Sequence, residues 1–237
     1  MKLPHLAALC VALFAIHANA QRLVTFPLST QPSQNPPQIQ ADLYGQGNRA
    51  IILAHGGRFG KESWKPQAQA LANSGFLVLA LRFRGDRPNP DGTPGSFGSD
   101  AENTEDVLAA VAYLHSIGAK SISAIGGSFG GDAVGNADTQ SPPGTPDTPG
   151  IFDRIVILAS EGGDAPEKLT GRKLFILARD DRSGDGLRLP GITNHYERAP
   201  QPKKLVILEG SAHAQYLFDT PQGPRLLEEI LHFLTEP

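Results

Sequence analysis

The chain has 237 residues, 40% of them hydrophobic, with 21 Lys+Arg against 24 Asp+Glu and a formal net charge of −3. A mildly acidic balance without any Lys/Arg run speaks against nucleic acid as the main partner. A single cysteine, Cys10, excludes an internal disulfide and a cysteine metal site.

The first twenty residues read as a secretory signal peptide. Lys2 gives a small positive n-region, Leu6 to Ile16 is an unbroken apolar run, and Ala18-Asn19-Ala20 supplies a small-x-small cleavage pattern. That run is too short for a permanent bilayer-spanning helix, and no helical periodicity supports a retained N-terminal helix. Cleavage before Gln21 removes Lys2 and Cys10 and leaves 20 Lys+Arg against 24 Asp+Glu, a formal charge of about −4. The expectation is one mature domain, 21–237, without a membrane anchor and without a thiol nucleophile. Export without disulfides suits a bacterial periplasm or medium.

In chain order, Arg22 to Leu28 and Gln38 to Tyr44 predict two strands joined by the proline-rich linker Ser29 to Pro37. Ala50 to Ala54 is a continuous apolar run, as a strand buried on both faces requires, and it ends at His55-Gly56-Gly57. A helix over about Glu62 to Ala72 and a strand from Phe76 to Leu81 follow. The loop Arg82 to Ser99 is dense in Gly, Pro and charge. Asp100 can cap a helix over Ala101 to Ser116, in which Val107, Val111 and Leu114 recur at helical spacing. A fifth strand, Ile122 to Ile125, precedes a helix over about Phe129 to Ala137. After the Pro/Gly loop Ser141 to Gly150 come strands Phe152 to Leu158, Lys173 to Ala178 and Lys204 to Leu208. The last helix, Pro221 to Leu234, carries Leu226, Leu227, Ile230, Leu231 and Leu234 on one face.

Apolar strands alternating with helices predict an α/β fold on a mainly parallel sheet of about seven to eight strands flanked by helices. The loops after the strands then open on one side, where such sheets place their sites. Three of these loops hold complementary chemistry. Gly126-Gly127-Ser128-Phe129-Gly130 matches G-x-S-x-G, a tight strand-to-helix turn that presents a serine hydroxyl at its apex. Glycines fit there because neighbouring backbone leaves no room for Cβ atoms. Asp180 and Asp181 follow Leu174 to Ala178, and His213 follows Leu205 to Leu208. The order Ser, Asp, His is that of the α/β-hydrolase triad.

On AIILAHGG at 50–57, GGSFGG at 126–131, LFILARDD at 174–181 and LVILEGSAH at 205–213, the chain resembles the α/β-hydrolase superfamily over essentially its whole mature length. The short layout looks most like dienelactone-hydrolase-like and small carboxylesterase members. Dienelactone hydrolases proper use cysteine as nucleophile and this chain has serine, so their lactone substrate does not carry over.

The resemblance implies Ser128 as nucleophile, His213 as general base and then acid, and a carboxylate orienting the imidazole. Family spacing selects Asp181 for that carboxylate, with Asp180 as the fallback and Glu161 as a third option; the plain alternatives are that Asp180 and Asp181 are solvated turn residues or pair with Arg179 and Arg182. The backbone N–H groups of Phe129 and Gly57 would form the oxyanion hole, with Arg58 as a neighbour able to share the role and His55 bracing the turn. No metal or cofactor is implied. Only about a dozen residues, Ser160 to Arg172, separate the sixth and seventh strands, which leaves no room for a large cap domain and implies an open cleft suited to small or short-acyl esters.

The function these features imply is a secreted or periplasmic serine hydrolase of carboxylic esters, its partner a small-molecule ester. A peptidase or amidase of the same fold, and a non-catalytic binding protein on that fold, stay open. Arg82, Arg84 and Arg87 either attract an acidic substrate or pair with local carboxylates such as Asp86 and Asp91. Trp64, Phe97, Tyr216 and Phe218 line a pocket or fill the core. His115, His195 and His232 lack metal-ligand spacing.

Overall fold

The computed structural model describes residues 21–28, 35–87, 96–140 and 150–236. The expected signal peptide, the tip of the 82–99 loop, nearly all of the 141–150 loop and most of the 29–37 linker lie outside these residues. Within them, β1 (Arg22–Pro27), β2 (Gln38–Tyr44), β3 (Arg49–Ala54) and β4 (Leu77–Arg82) begin the main sheet. The short ribbon β5 (Asp86–Arg87) and β6 (Ser96–Phe97) follows. Then come β7 (Ser121–Gly127), β8 (Arg154–Leu158) and β9 (Arg172–Ala178). A second ribbon, β10 (Arg182–Ser183) and β11 (Gly186–Leu187), precedes the last strand, β12 (Lys203–Leu208). The helices are α1 (Lys65–Asn73), α2 (Asp100–Ser116), α3 (Phe129–Thr139), α4 (Leu189–Arg198) and α5 (Gly223–Thr235).

The eight-stranded sheet has the order β1-β2-β4-β3-β7-β8-β9-β12. Strands β1, β2 and β4 pair antiparallel, and every pairing from β4 to β12 is parallel. Strand β3 is the pivot: the chain leaves it to form β4 on one side and returns to form β7 on the other. Such a switch point opens a crevice at the carboxyl ends of the two strands, where open α/β sheets bind ligands. Here those ends are His55-Gly56-Gly57 and Ser128.

Alternating side chains of the central strands feed two cores. Ile52, Leu79, Ala124, Ile157 and Leu177 pack on one face with Val107 and Leu114 of α2 and Ala133, Val134 and Ala137 of α3. Ile51, Leu53, Val78, Val156 and Ile176 pack on the other with Leu71 of α1 and Leu226, Ile230 and Phe233 of α5. Helix α2 starts with a capping box in which the Ser99 hydroxyl accepts from the Glu102 N–H and the Glu102 side chain accepts from the Ser99 N–H.

The expected first helix begins instead as a 3-10 turn, Lys61–Trp64, before α1. Helix α4 and both ribbons had no counterpart in the sequence reading. Leu189-Pro190-Gly191 looks like a loop, yet proline suits the first turn of a helix, where its missing N–H has no intrahelical acceptor to lose.

At the start of β9 the buried Lys173 donates to the carbonyls of Thr170 and Gly171. Burial pulls its pKa down to about 8, only partly opposed by Asp138. Between that value and the ordinary lysine range the unfolded chain binds more protons, so this group adds stability as pH rises. Thermal unfolding of wild type and Lys173→Met, followed from pH 7.5 to 10.5, is expected to show the wild-type melting temperature gaining on the variant as pH increases; a constant gap contradicts the assignment.

Candidate active site

Ser128 sits between the end of β7 and the first residue of α3 with φ 52° and ψ −125°, a left-handed backbone unusual for a residue with a side chain. Such conformations cost about 1–3 kcal/mol and persist only where the surroundings over-determine them. The surroundings here are backbone. The Ser128 N–H donates to the Leu158 carbonyl at 2.9 Å, and the Gly131 N–H donates to the Ser128 carbonyl at 2.7 Å. A Cβ at Gly126 would lie 2.3 Å from the Gly130 oxygen, and one at Gly130 would lie 2.3 Å from the Ala54 oxygen. Both flanking glycines of the motif are therefore required by close backbone approach. Gly130 in particular lets the first turn of α3 close onto the end of β3.

That end of β3 carries the His55-Gly56-Gly57 turn. His55 is buried, its Nδ1–H donating to the Gly56 carbonyl at 3.0 Å, its ring edge-on to Phe83 at 5.0 Å, and its Nε2 3.9 Å from Asp86 Oδ2. Burial lowers its pKa, so it is held neutral as a brace for the turn. A second brace escaped the sequence reading. Gln215, buried in the 3-10 turn that follows His213, accepts from the Gly56 N–H at 3.4 Å and donates to Ser63 Oγ at 3.2 Å. It ties the histidine loop to the Gly-Gly turn, and a lone glutamine two residues past a histidine gives no signal of that role.

Beyond β9, Asp181 is 1% exposed and its Oδ2 accepts from His213 Nδ1 at 2.7 Å. Asp180 is exposed, and its N–H is used by the Gly210 carbonyl at 2.9 Å. Glu161 is exposed and pairs with His195 at 3.2 Å. Of the three carboxylates weighed from sequence, Asp181 is the one brought to His213. The alternative pairing of the aspartates with Arg179 and Arg182 does not occur: Arg179 pairs with Glu209, whereas Asp181 Oδ1 lies 3.6 Å from Arg188 Nε.

Ser128, His213, Gly57 and Phe129 line one cavity of about 790 Å³, together with Phe59, Tyr216, Arg58, Arg182 and Arg188. The rings of Phe59 and Tyr216 stand 4.8 Å apart on its wall. A second, more polar cavity of about 370 Å³ also reaches Ser128 and shares Ser183 and Arg188 with the first.

No family model and no curated protein matches the sequence. Solved structures do match. A hydrolase from Thermoplasma acidophilum, described as CIB-like, is 19% identical with a TM-score of 0.65, covering 91% of this chain and 98% of its own. An esterase from Pyrococcus furiosus is 14% identical with a TM-score of 0.67, covering 91% and 92%. A dienelactone hydrolase from Anabaena variabilis is 16% identical with a TM-score of 0.62, covering 90% and 94%. This chain has the α/β-hydrolase fold.

Within the α/β-hydrolase fold, the segment between β8 and β9 is only a loop with one 3-10 turn, Pro166–Lys168, so no large cap is inserted there and none is found among the described residues. Of the aromatics that could line a pocket or fill the core, Tyr216 lines the cavity, while Trp64 is fully buried in the core beside Phe218, 5.9 Å ring to ring. The side chains of Phe97 and Arg87, and all of Asp91, lie outside the described residues. Arg82 pairs with Asp86 at 3.7 Å, and Arg84 turns away to Glu105 and Asp106 of α2 at 2.5 and 3.3 Å. His115 and His232 engage local partners, the Ala119 carbonyl and Glu236.

The glycine packing is directly testable. Gly130→Ala forces backbone at Ala54 and His55 to move and is expected to cost about 2 kcal/mol or more, lowering the melting temperature by about 5 °C. Gly184→Ala, where a Cβ meets nothing within 4 Å, is expected to melt within about 1 °C of wild type. Equal melting of the two variants contradicts the close-approach argument.

Proposed function

We propose that this protein is a serine hydrolase that cleaves carboxylic esters with small or short acyl groups through an acyl-enzyme, and that it acts in the periplasm or outside the cell after loss of residues 1–20. The observation that carries the reading is the Asp181–His213 hydrogen bond beside the cavity that His213 and the strained Ser128 both line.

With Nδ1 committed to Asp181, Nε2 is the imidazole nitrogen available to Ser128. It would take the hydroxyl proton as Ser128 attacks the acyl carbonyl, and return it to the leaving alcohol. Asp181 would hold the tautomer and stabilise the imidazolium. The developing oxyanion would fall to the N–H groups of Phe129, at the positive end of the α3 dipole, and Gly57. Water entering the open cleft would then release the acid by the same route. The absence of a large cap and the aromatic pair Phe59–Tyr216 favour a short or compact acyl group. The structural neighbours, an esterase and a dienelactone hydrolase among them, agree with ester hydrolysis. The signal-peptide pattern of residues 1–20 is the ground for export.

A p-nitrophenyl ester series from acetate to decanoate, run beside aminoacyl-p-nitroanilides, tests the reading. Activity is expected to peak at acetate to butyrate and to exceed that on the anilides. Ser128→Ala and Asp181→Asn are expected to lower kcat by about 10³-fold or more, and Asp180→Asn by less than threefold. Full activity in Ser128→Ala, or faster anilide cleavage, contradicts it.

A further inference from the structure

Gly56 and Gly57 share one planar peptide, in which the Gly56 carbonyl and the Gly57 N–H point in opposite directions. The carbonyl end is fixed: it accepts from the Phe59 N–H at 3.1 Å and from His55 Nδ1 at 3.0 Å. That sends the Gly57 N–H the other way, and Gly57 lines the cavity of Ser128 and His213. The Gly56 N–H, one peptide earlier, donates to Gln215 Oε1 at 3.4 Å and has no other acceptor among the described residues. Without that amide it would be a buried donor with no partner, which native structures rarely tolerate.

Gln215 is 4% exposed, and both ends of its amide are used. A backbone N–H only donates, so the atom facing Gly56 is the oxygen. Nε2 then donates to Ser63 Oγ at 3.2 Å, whose own proton goes to the Gly60 carbonyl at 2.7 Å. The same amide presses on the end of β7: a Cβ at Gly127 would lie 2.7 Å from Gln215 Oε1 and 3.3 Å from the Ala214 Cβ. Ala214, which joins His213 to Gln215, is fully buried with φ 51°, a left-handed backbone that persists only where its surroundings impose it. One buried side chain therefore touches the turn before Gly57, the residue before Ser128 and the start of the 3-10 segment Lys61–Trp64, all from the loop of His213.

We infer that Gln215 is a positioning residue that holds the Gly56–Gly57 peptide with its Gly57 N–H turned to the oxyanion. Its catalytic meaning rests on the hydrolase reading; the restraint itself stands on the hydrogen bonds. Gln215 touches no reacting atom and acts through Gly56. An N–H aimed in advance stabilises charge as the charge develops, and the ground-state ester makes less use of it. Loss of the restraint is thus a loss of turnover rather than of substrate binding. An apolar side chain of the same length would fill the space beside Gly127, yet it would leave the Gly56 N–H unbonded and the peptide free to swing.

The test compares wild type, Gln215→Met and Gln215→Glu on p-nitrophenyl butyrate. Beside it run the inhibition constants of a short alkyl trifluoromethyl ketone, whose adduct on Ser128 carries the oxyanion, and of 1-butanol, which forms no adduct. Gln215→Met is expected to lower kcat by about 30-fold or more with KM within about threefold, and to weaken the ketone as much while leaving butanol unchanged. Gln215→Glu keeps an acceptor for the Gly56 N–H and is expected to recover part of the loss. If Gln215→Met does not fold, Ser63→Ala, which removes the second anchor of the amide, is expected to shift the same quantities in the same sense by about threefold or more. Unchanged kcat in a folded Gln215→Met, or a rise in KM alone, overturns the inference. Equal weakening of ketone and butanol overturns it too, because a general distortion of the cavity is then responsible. Hydrogen exchange at the Gly56 amide, read in parallel, is expected to be faster by about tenfold or more in Gln215→Met. Unchanged exchange overturns the restraint itself, whereas faster exchange in a protein whose wild type cleaves no ester supports the restraint and rejects the hydrolase reading instead.

Discussion

The contact between the first turn of α3 and the end of β3 governs the architecture of the site. Gly130 stands where a Cβ would be 2.3 Å from the Ala54 oxygen, and Gly126 where one would be 2.3 Å from the Gly130 oxygen. With two hydrogens in place of methyl groups, the helix start, the end of β7 and the Gly-Gly turn collapse onto one point. The switch in strand order makes that point a crevice, and the glycines let backbone N–H groups from both walls approach it. The left-handed backbone of Ser128 follows: it is the conformation that joins β7 to α3 across so short a distance, and the bond from its N–H to Leu158 helps to hold it.

The other half of the site comes from the far strands. Parallel pairing of β9 with β12 sets Leu208 opposite Ala178, so the loops beyond them run side by side and Asp181 meets His213. Asp181 is buried and is paired as a buried charge must be, bonded at one oxygen and ion-paired at the other. Gln215 then bridges the two halves by reaching from the histidine loop to Gly56. Most of the geometry is backbone, which suits a site whose donors must be in place before charge develops.

Much of this was legible in the sequence because strands buried on both faces announce themselves as apolar runs. The central strands of the main sheet stood out that way, although β1 and β12 are largely exposed or half-buried, and the residues just past the ends of the parallel strands became the candidate site. The choice of Asp181 over Asp180 needed the family spacing, since adjacent aspartates on one loop differ only in where the backbone turns them. Helix α4 was hidden by Pro190 and Gly191 and by burying only Ile192 fully. Arg188 was invisible for a different reason. Its partnership depends on the register of a ribbon with two residues per strand, too short to leave an alternating pattern. Gln215 and Phe59 owe their positions to tertiary contacts that no local pattern encodes.

The central claim, that Ser128 attacks while Gly57 and Phe129 receive the oxyanion, is tested most directly by a crystal structure of the protein after reaction with a short alkyl phosphonate ester. The account predicts phosphorus bonded to Ser128 Oγ, with one phosphonyl oxygen about 2.7–3.1 Å from both backbone nitrogens. An adduct on another residue, or a phosphonyl oxygen turned away from Gly57 and Phe129, would contradict it.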